Sequence, residues 1–164
     1  MEPDMRDKIV MEPISAMITS KSQDIEVLAA GKGGWEVWAQ CEIELVIKRR
    51  MEVVERSPKA FDTDEIGDLF YRPLSWSMDK GAVIELKCRG AETDYTFAQK
   101  LTNDAIKITG TPKLKYASCR FYSVGVMVGV PSVGLQTYTG PFGFAWHNVP
   151  NTDIWISYVV VDNA

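Results

Sequence analysis

The run Trp35-Glu36-Val37-Trp38-Ala39-Gln40-Cys41-Glu42-Ile43-Glu44-Leu45-Val46-Ile47-Lys48 decides how this chain is read. Trp35, Val37, Ala39, Cys41, Ile43, Leu45 and Ile47 fall on one side of a two-residue repeat, and Glu36, Trp38, Gln40, Glu42, Glu44, Val46 and Lys48 on the other. Successive side chains of a strand point to opposite faces, so this pattern predicts a long half-buried strand or hairpin arm. It ends in Lys48-Arg49-Arg50, with Arg56 and Lys59 nearby.

Upstream, Lys32-Gly33-Gly34 reads as a turn, and Ser22 to Ala30 as a short helix stopped at Gly31 or, equally, a strand. Residues 1–21 mix charges, methionines and prolines. Pro13 is expected to break any helix begun at Met5, which leaves a flexible arm ahead of one β-rich domain over 22–164. Downstream, Asp62 with Glu65 fits a capping box, and Ile66, Leu69 and Phe70 give an apolar stripe, so a short helix is predicted over Asp62–Tyr71 before Pro73. Ala82–Arg89 alternates Ala82, Ile84, Leu86 and Cys88 against Glu85, Lys87 and Arg89, a second half-buried strand. Residues 93–109 are ambiguous, with Tyr95, Phe97, Ile106 and Ile108 suggesting strands around Thr102-Asn103-Asp104.

From Phe121 to Val130 both alternating faces are apolar or small, as in a strand covered on both sides. Strands are also expected at Val133–Tyr138, Phe142–Val149 and Ile154–Val161. The fold class predicted is therefore α+β, mainly β. Its core is expected to draw on Val37, Cys41, Ile43, Leu45, Ile66, Leu69, Phe70, Ile84, Leu86, Val124, Val126 and Ile156.

Charge is distributed unevenly. All 18 lysines and arginines lie before Phe121, and the last 44 residues hold only Asp153 and Asp162 as charges beside eight aromatics. Two readings follow. These strands lie at the centre of the sheet, where a buried charge costs several kcal/mol, or part of this surface meets another protein, since interface cores lose charge and gain aromatics. On the second reading Tyr138, Phe142, Phe144 and Trp146 mediate self-association.

The chain has 164 residues and a net charge of −4, so no global field draws nucleic acid or anionic lipid. Lys48, Arg49 and Arg50 are the candidate phosphate, RNA or lipid-headgroup contacts, set against a solvated strand end neutralised by Glu44, Glu52 and Glu55. Three widely spaced cysteines make no disulfide framework, and with no apolar signal-like N-terminus they point to an intracellular, cytoplasmic protein. One histidine, His147, cannot build a histidine-based zinc site. Cys119 with His147 and Asp153 is the one nucleophile–base arrangement that can be written down. Gly31-Lys32-Gly33-Gly34 lacks the spacing of a phosphate loop. No catalytic residue, metal or cofactor is assigned, and no small-molecule substrate is inferred.

The order of elements, Trp35–Lys48, Asp62–Tyr71, Ala82–Arg89, Tyr116–Val130 and Ile154–Val161, resembles that of rhabdovirus matrix proteins, the plant-infecting ones most of all. The resemblance implies a non-enzymatic structural protein of the virion that associates with itself, packages nucleocapsid (nucleoprotein or RNA) and bridges to an anionic envelope membrane. Animal-virus members carry a basic arm and a proline-rich budding motif. Here residues 1–12 set Arg6 and Lys8 against Glu2, Asp4, Asp7 and Glu12, and there is no Pro-Pro-x-Tyr. The rival expectation is a β-sandwich binding module that grips a sugar, lipid or protein with aromatics such as Trp146 and Trp155.

Overall fold

A computed structural model describes residues 4–163. Two helices come first, α1 (Met5–Ala30) and α2 (Glu36–Arg49), followed by strands β1 (Val53–Arg56), β2 (Leu69–Arg72) and β3 (Ala82–Cys88). Helix α3 (Asp94–Lys107) leads to β4 (Arg120–Val128), and α4 (Val133–Thr139) to β5 (His147–Asn148) and β6 (Ile154–Asp162). The strands form one mixed sheet in the order β1-β2-β3-β4-β6-β5. Only β3 and β4 run parallel, joined through α3. Every other pairing is antiparallel.

The fold is α+β, but helix exceeds strand, 42% to 24%, so "mainly β" is corrected. The chief revision is α2. Its buried residues Ala39, Ile43 and Ile47 are four apart, and Gln40 sits beside them. That row is contained in the alternating set, so both periods fit the same letters. Good helix formers Glu36, Gln40, Glu42, Glu44, Leu45, Lys48 and Arg49 take half of its positions. Glu36 in the first turn and Lys48 and Arg49 in the last complement the helix dipole. Val37 and Leu45, expected in the core, are exposed instead, and Cys41 is half-buried.

The predicted arm over 1–21 is likewise corrected: its residues 1–3 lie outside the described residues, and the rest is α1. Asp4 caps that helix by accepting from the Arg6 N–H at 3.0 Å. Pro13 sits inside it and is itself buried. A helix-interior proline costs about 3 kcal/mol. Val10, Met11, Ile14, Met17, Ile18 and Ile25 all go into the core, at about 1.5–3 kcal/mol each, so burial outweighs it. A kink at Lys21 (φ −119°, ψ 16°) lets the two halves follow the sheet.

The predicted helix Asp62–Tyr71 is not formed. Asp64 has φ +59°, Lys59 and Ile66 make an isolated bridge, and Leu69 and Phe70 enter β2. Ile66 is exposed, not core. Residues 93–109 fold as α3, capped by Thr93, with Phe97, Ala98, Leu101 and Ala105 inward. Val133–Tyr138 is helical too, capped by Ser132, and the strand predicted over Phe142–Val149 shrinks to His147–Asn148. Strands β3 and β6 stand where the alternation placed them, while the strand read over Tyr116–Val130 begins only at Arg120, Leu114–Tyr116 forming a turn of 3-10 helix.

One sheet face packs on α1 and α2 through Ile84, Leu86, Val124, Val126, Ile154 and Ile156. The other carries Val83, Phe121 and Met127 towards Phe61, Tyr116 and the inner residues of α3 and α4. A single sheet lined by helices on both faces is not a β-sandwich. At its middle Gly125 leaves room for α3: a Cβ there would lie 2.9 Å from Leu101 and 3.0 Å from Trp146.

Glu85 and Lys87 were expected to face water. They meet α3 instead. Lys107 Nζ lies 3.0 Å from Glu85, and Lys87 Nζ lies 3.3 Å from Asp104 and 3.2 Å from Glu36. Because β2 stops at Leu69, the next stretch of the β3 edge has no strand beside it. The Asp68 carboxylate accepts there from the Leu86 N–H at 2.6 Å. Burial, with help from the Asp68 charge, pushes the Glu85 carboxyl up to about 8, despite Lys107.

A carboxyl raised in the folded state favours folding while it stays protonated. Between pH 4.5 and about 8 the unfolded chain has released this proton and the folded one has not, so stability drains away as pH rises. Glu85→Gln removes the titration. Its thermal midpoint is expected to exceed that of the wild type at pH 8 and to converge on it near pH 5, as thermal unfolding across that range will record.

Candidate functional site

The uncharged C-terminal third divides into core and surface. Phe121 and Tyr122 are fully buried on β4. Phe144, predicted to mediate self-association, is 5% exposed and packs with Leu135 and Met127. Trp146, also predicted there, is half-buried: its indole N–H donates to Thr139 Oγ1 at 3.3 Å and its ring lies 6.2 Å from Phe97. These two are corrected to core roles. Tyr138 and Phe142 remain at the surface, 49% and 43% exposed. They line a groove of about 160 Å³ with Tyr95, whose ring meets Tyr138 edge-on at 5.6 Å.

The more consequential surface is the outer edge of β6. Strand β4 pairs with β6 along its whole length, from Arg120↔Asp162 to Val128↔Ile154. On the other side β5 covers only Ile156 and Trp155. The direction of the remaining backbone groups follows from two bonds. The Gly129 N–H donates to Asp153 O, which places odd-numbered residues towards β4. The Val149 N–H donates to Ile154 O, which turns even-numbered residues towards β5. Beyond the end of β5, the N–H and C=O of Tyr158 and Val160 therefore point outward, with no backbone partner among the described residues. The strand there reads Ser157-Tyr158-Val159-Val160-Val161, without a charge, a proline or a glycine.

Lys48, Arg49 and Arg50 stand at the C-terminal end of α2, not at a strand end. Lys48 Nζ pairs with Glu44 at 2.5 Å and Arg50 with Glu12 of α1. Arg49 is exposed and makes no ion pair among the described residues. The cancelling acids are thus Glu44 and Glu12; the expected Glu52 instead accepts from the Tyr71 hydroxyl at 2.7 Å.

Cys119 is buried beside Phe121, and desolvation pushes its thiol up to about 11, so it is a thiol and not a thiolate at neutral pH. His147 is exposed on β5 at the sheet's far edge. Nothing brings Cys119 and His147 together as nucleophile and base. Cys88 is also buried and its thiol raised. Among the described residues no group of three or more His, Cys, Asp or Glu is placed to hold a metal, and no helix is long and apolar enough to cross a membrane. No family model, curated protein or solved structure matches the chain.

The open β6 edge left no mark in the sequence beyond the missing charges, because edge and centre differ only in what lies beside them. Phe142 was legible as an uncharged turn residue and Tyr138 as the end of an uncharged strand, and their exposure sets them apart from Phe144. Phe142→Lys is expected to change stability by less than about 1 kcal/mol, as surface substitutions do. Phe144→Ala is expected to lose about 3–5 kcal/mol. Denaturant unfolding of the two variants will separate them.

Proposed function

We propose that the protein is a non-enzymatic assembly protein that associates with copies of itself through the outer edge of β6. The observation that carries this reading is the run from Tyr158 to Val161, which no strand covers among the described residues and where outward N–H and C=O groups border uncharged, mostly β-branched side chains. Monomeric proteins protect such edges with lysine, proline, bulges or a covering loop. This one carries none of the residue-level devices. Antiparallel pairing of β6 with β6 of a second copy satisfies the same groups on both chains about a two-fold axis, and joins two six-stranded sheets into one.

The specific form suggested by the resemblance is a viral matrix-type protein that links nucleocapsid to envelope. Strands β3, β4 and β6 still support it by chain order, while α2 and the loop before β2 have taken the place of two elements that carried it. Contact with RNA or anionic membrane falls on Arg49, the member of the Lys48–Arg50 cluster that acids do not neutralise. The rival reading, a binding module, draws support from the aromatic groove between Tyr95, Tyr138 and Phe142, although its sandwich architecture is not the one adopted.

The backbone parity supplies a clean test. Val160→Pro removes an outward N–H and takes nothing from the β4 ladder, a position at which edge strands tolerate proline. Val159→Pro removes an N–H that bonds β4. Light scattering on the wild type is expected to show mass rising with concentration. Val160→Pro is expected to hold the protein at monomer mass with little change in thermal midpoint, and Val159→Pro to lower the midpoint sharply. A wild type that stays monomeric, or a Val160→Pro variant that assembles like it, overturns the reading.

A further inference from the structure

A cavity of about 300 Å³ opens where the β2–β3 loop meets the start of β4 and the first turn of α1. Its lining holds three cations, Arg6, Lys80 and Arg120, three serines and Trp76, and no carboxylate. The loop is well held. The Trp76 N–H donates to Pro73 O and the Lys80 N–H to Ser77 O, both at 3.0 Å, and Arg72 donates to Met78 O at 3.1 Å. The Arg120 N–H donates to Gly81 O at 2.9 Å, which fixes the end of the loop against β4.

Arg120 is the anchor. Its side chain is 7% exposed. Nη1 reaches Asp4 at 3.0 Å and Asp162 at 3.8 Å, and Nη2 reaches Asp7 at 3.1 Å. Nε is buried with no hydrogen-bond partner among the described residues. A buried donor left unpaired costs about 1–3 kcal/mol, and such a group in a native fold calls for an explanation. The carboxylates of Asp4, Asp7 and Asp162 hold the guanidinium in place, as Asp4 and Asp162 also hold Arg6. Lys80 is exposed and has no ion pair among the described residues, while the nearby Asp79 is occupied by the Ser77 hydroxyl.

We propose that this cavity binds a phosphomonoester, with the phosphate taken by Lys80, the hydroxyls of Ser75 and Ser118 and the guanidinium of Arg120 that lines its wall, and the organic part lying against Trp76. Phosphate oxygens accept charge-assisted hydrogen bonds from several donors at once, which a cation-and-hydroxyl lining without acids offers. The half-buried Trp76 indole supplies the apolar wall that ligand sites combine with a few placed polar groups. The cavity adjoins the end of β6 through Asp162, but its proposed ligand does not depend on β6 self-pairing.

The test titrates the full chain with adenosine monophosphate, inorganic phosphate and adenosine, read by calorimetry. Adenosine monophosphate is expected to saturate, inorganic phosphate to compete with it, and adenosine to bind far more weakly. Lys80→Gln and Ser118→Ala leave the Arg120 cluster intact and are expected to keep the wild-type thermal midpoint. Losing the lysine's charge-assisted contact is expected to weaken adenosine monophosphate about tenfold. Absence of saturation by both phosphates up to ~10 mM, well past the weakest affinity a built site would give, overturns the proposal. Equal affinity of Lys80→Gln and wild type overturns it too. So does adenosine binding as tightly as its monophosphate, which would leave an aromatic pocket with no phosphate site.

Discussion

Strand β4 is enclosed on four sides, and most of the fold follows from that. It bonds β3 on one edge and β6 on the other, while α1 with α2 and α3 with α4 cover its two faces. A strand so placed can hold only apolar or small residues in its middle, and Phe121 to Met127 comply. Gly125 and Ser123 are small on the face where α3 comes closest, and Ser123 Oγ donates to Leu101 O at 3.4 Å. The one charge, Arg120, sits at the strand's beginning and is compensated by Asp4, Asp7 and Asp162. That compensation also ties the first turn of α1 to the sheet, and the Tyr122 hydroxyl donating to Asp7 at 2.8 Å adds to it.

The parallel pairing of β3 with β4 demands a crossover, and α3 provides it. The crossover helix is registered by charge as well as by packing. Asp104 and Lys107 lie one turn apart on α3 and meet Lys87 and Glu85, two apart on β3. An ion pair this deep brings little net stability, since removing its charges from water costs about as much as their attraction returns, and Glu85 stays protonated below about pH 8 beside Lys107. The raised Glu85 carboxyl is the visible sign of that cost. What such pairs can supply is a single allowed placement of the helix on the strand.

The two ends of the sheet are finished differently. On the β3 edge, carboxylates take over where β2 stops: Asp68 accepts from Leu86, and Glu36 accepts from the backbone of Cys88. On the β6 edge the Ser157 hydroxyl donates to Ala145 O at 2.8 Å, and among the described residues no side chain takes up the outward backbone groups of Tyr158 and Val160. The contrast within one sheet is what makes the open edge informative, because the same chain closes an equivalent gap elsewhere with its own side chains.

Three strands were legible in the letters. Val83 to Cys88, Phe121 to Val128 and Ile154 to Val161 combine alternation with runs of β-branched residues. Trp35–Lys48 was not legible, since Ala39, Ile43 and Ile47 satisfy a helix as well as a strand, and only contact with the sheet selects between the two. Nor was α1, because Pro13 reads as a breaker until six apolar partners are known to be buried together. The candidate sites divide in the same way. Composition alone located the charge-poor third and the Lys48-Arg49-Arg50 cluster, while only the structure shows that Arg49 lacks an ion pair among the described residues. The open β6 edge, the opposite fates of Phe142 and Phe144, and the meeting of Arg120 with Lys80 depend on neighbours distant in the chain. A sequence states each residue's local preference and charge; which side of a strand is left bare, and which cations share a cavity, exists only once the strands have been ordered.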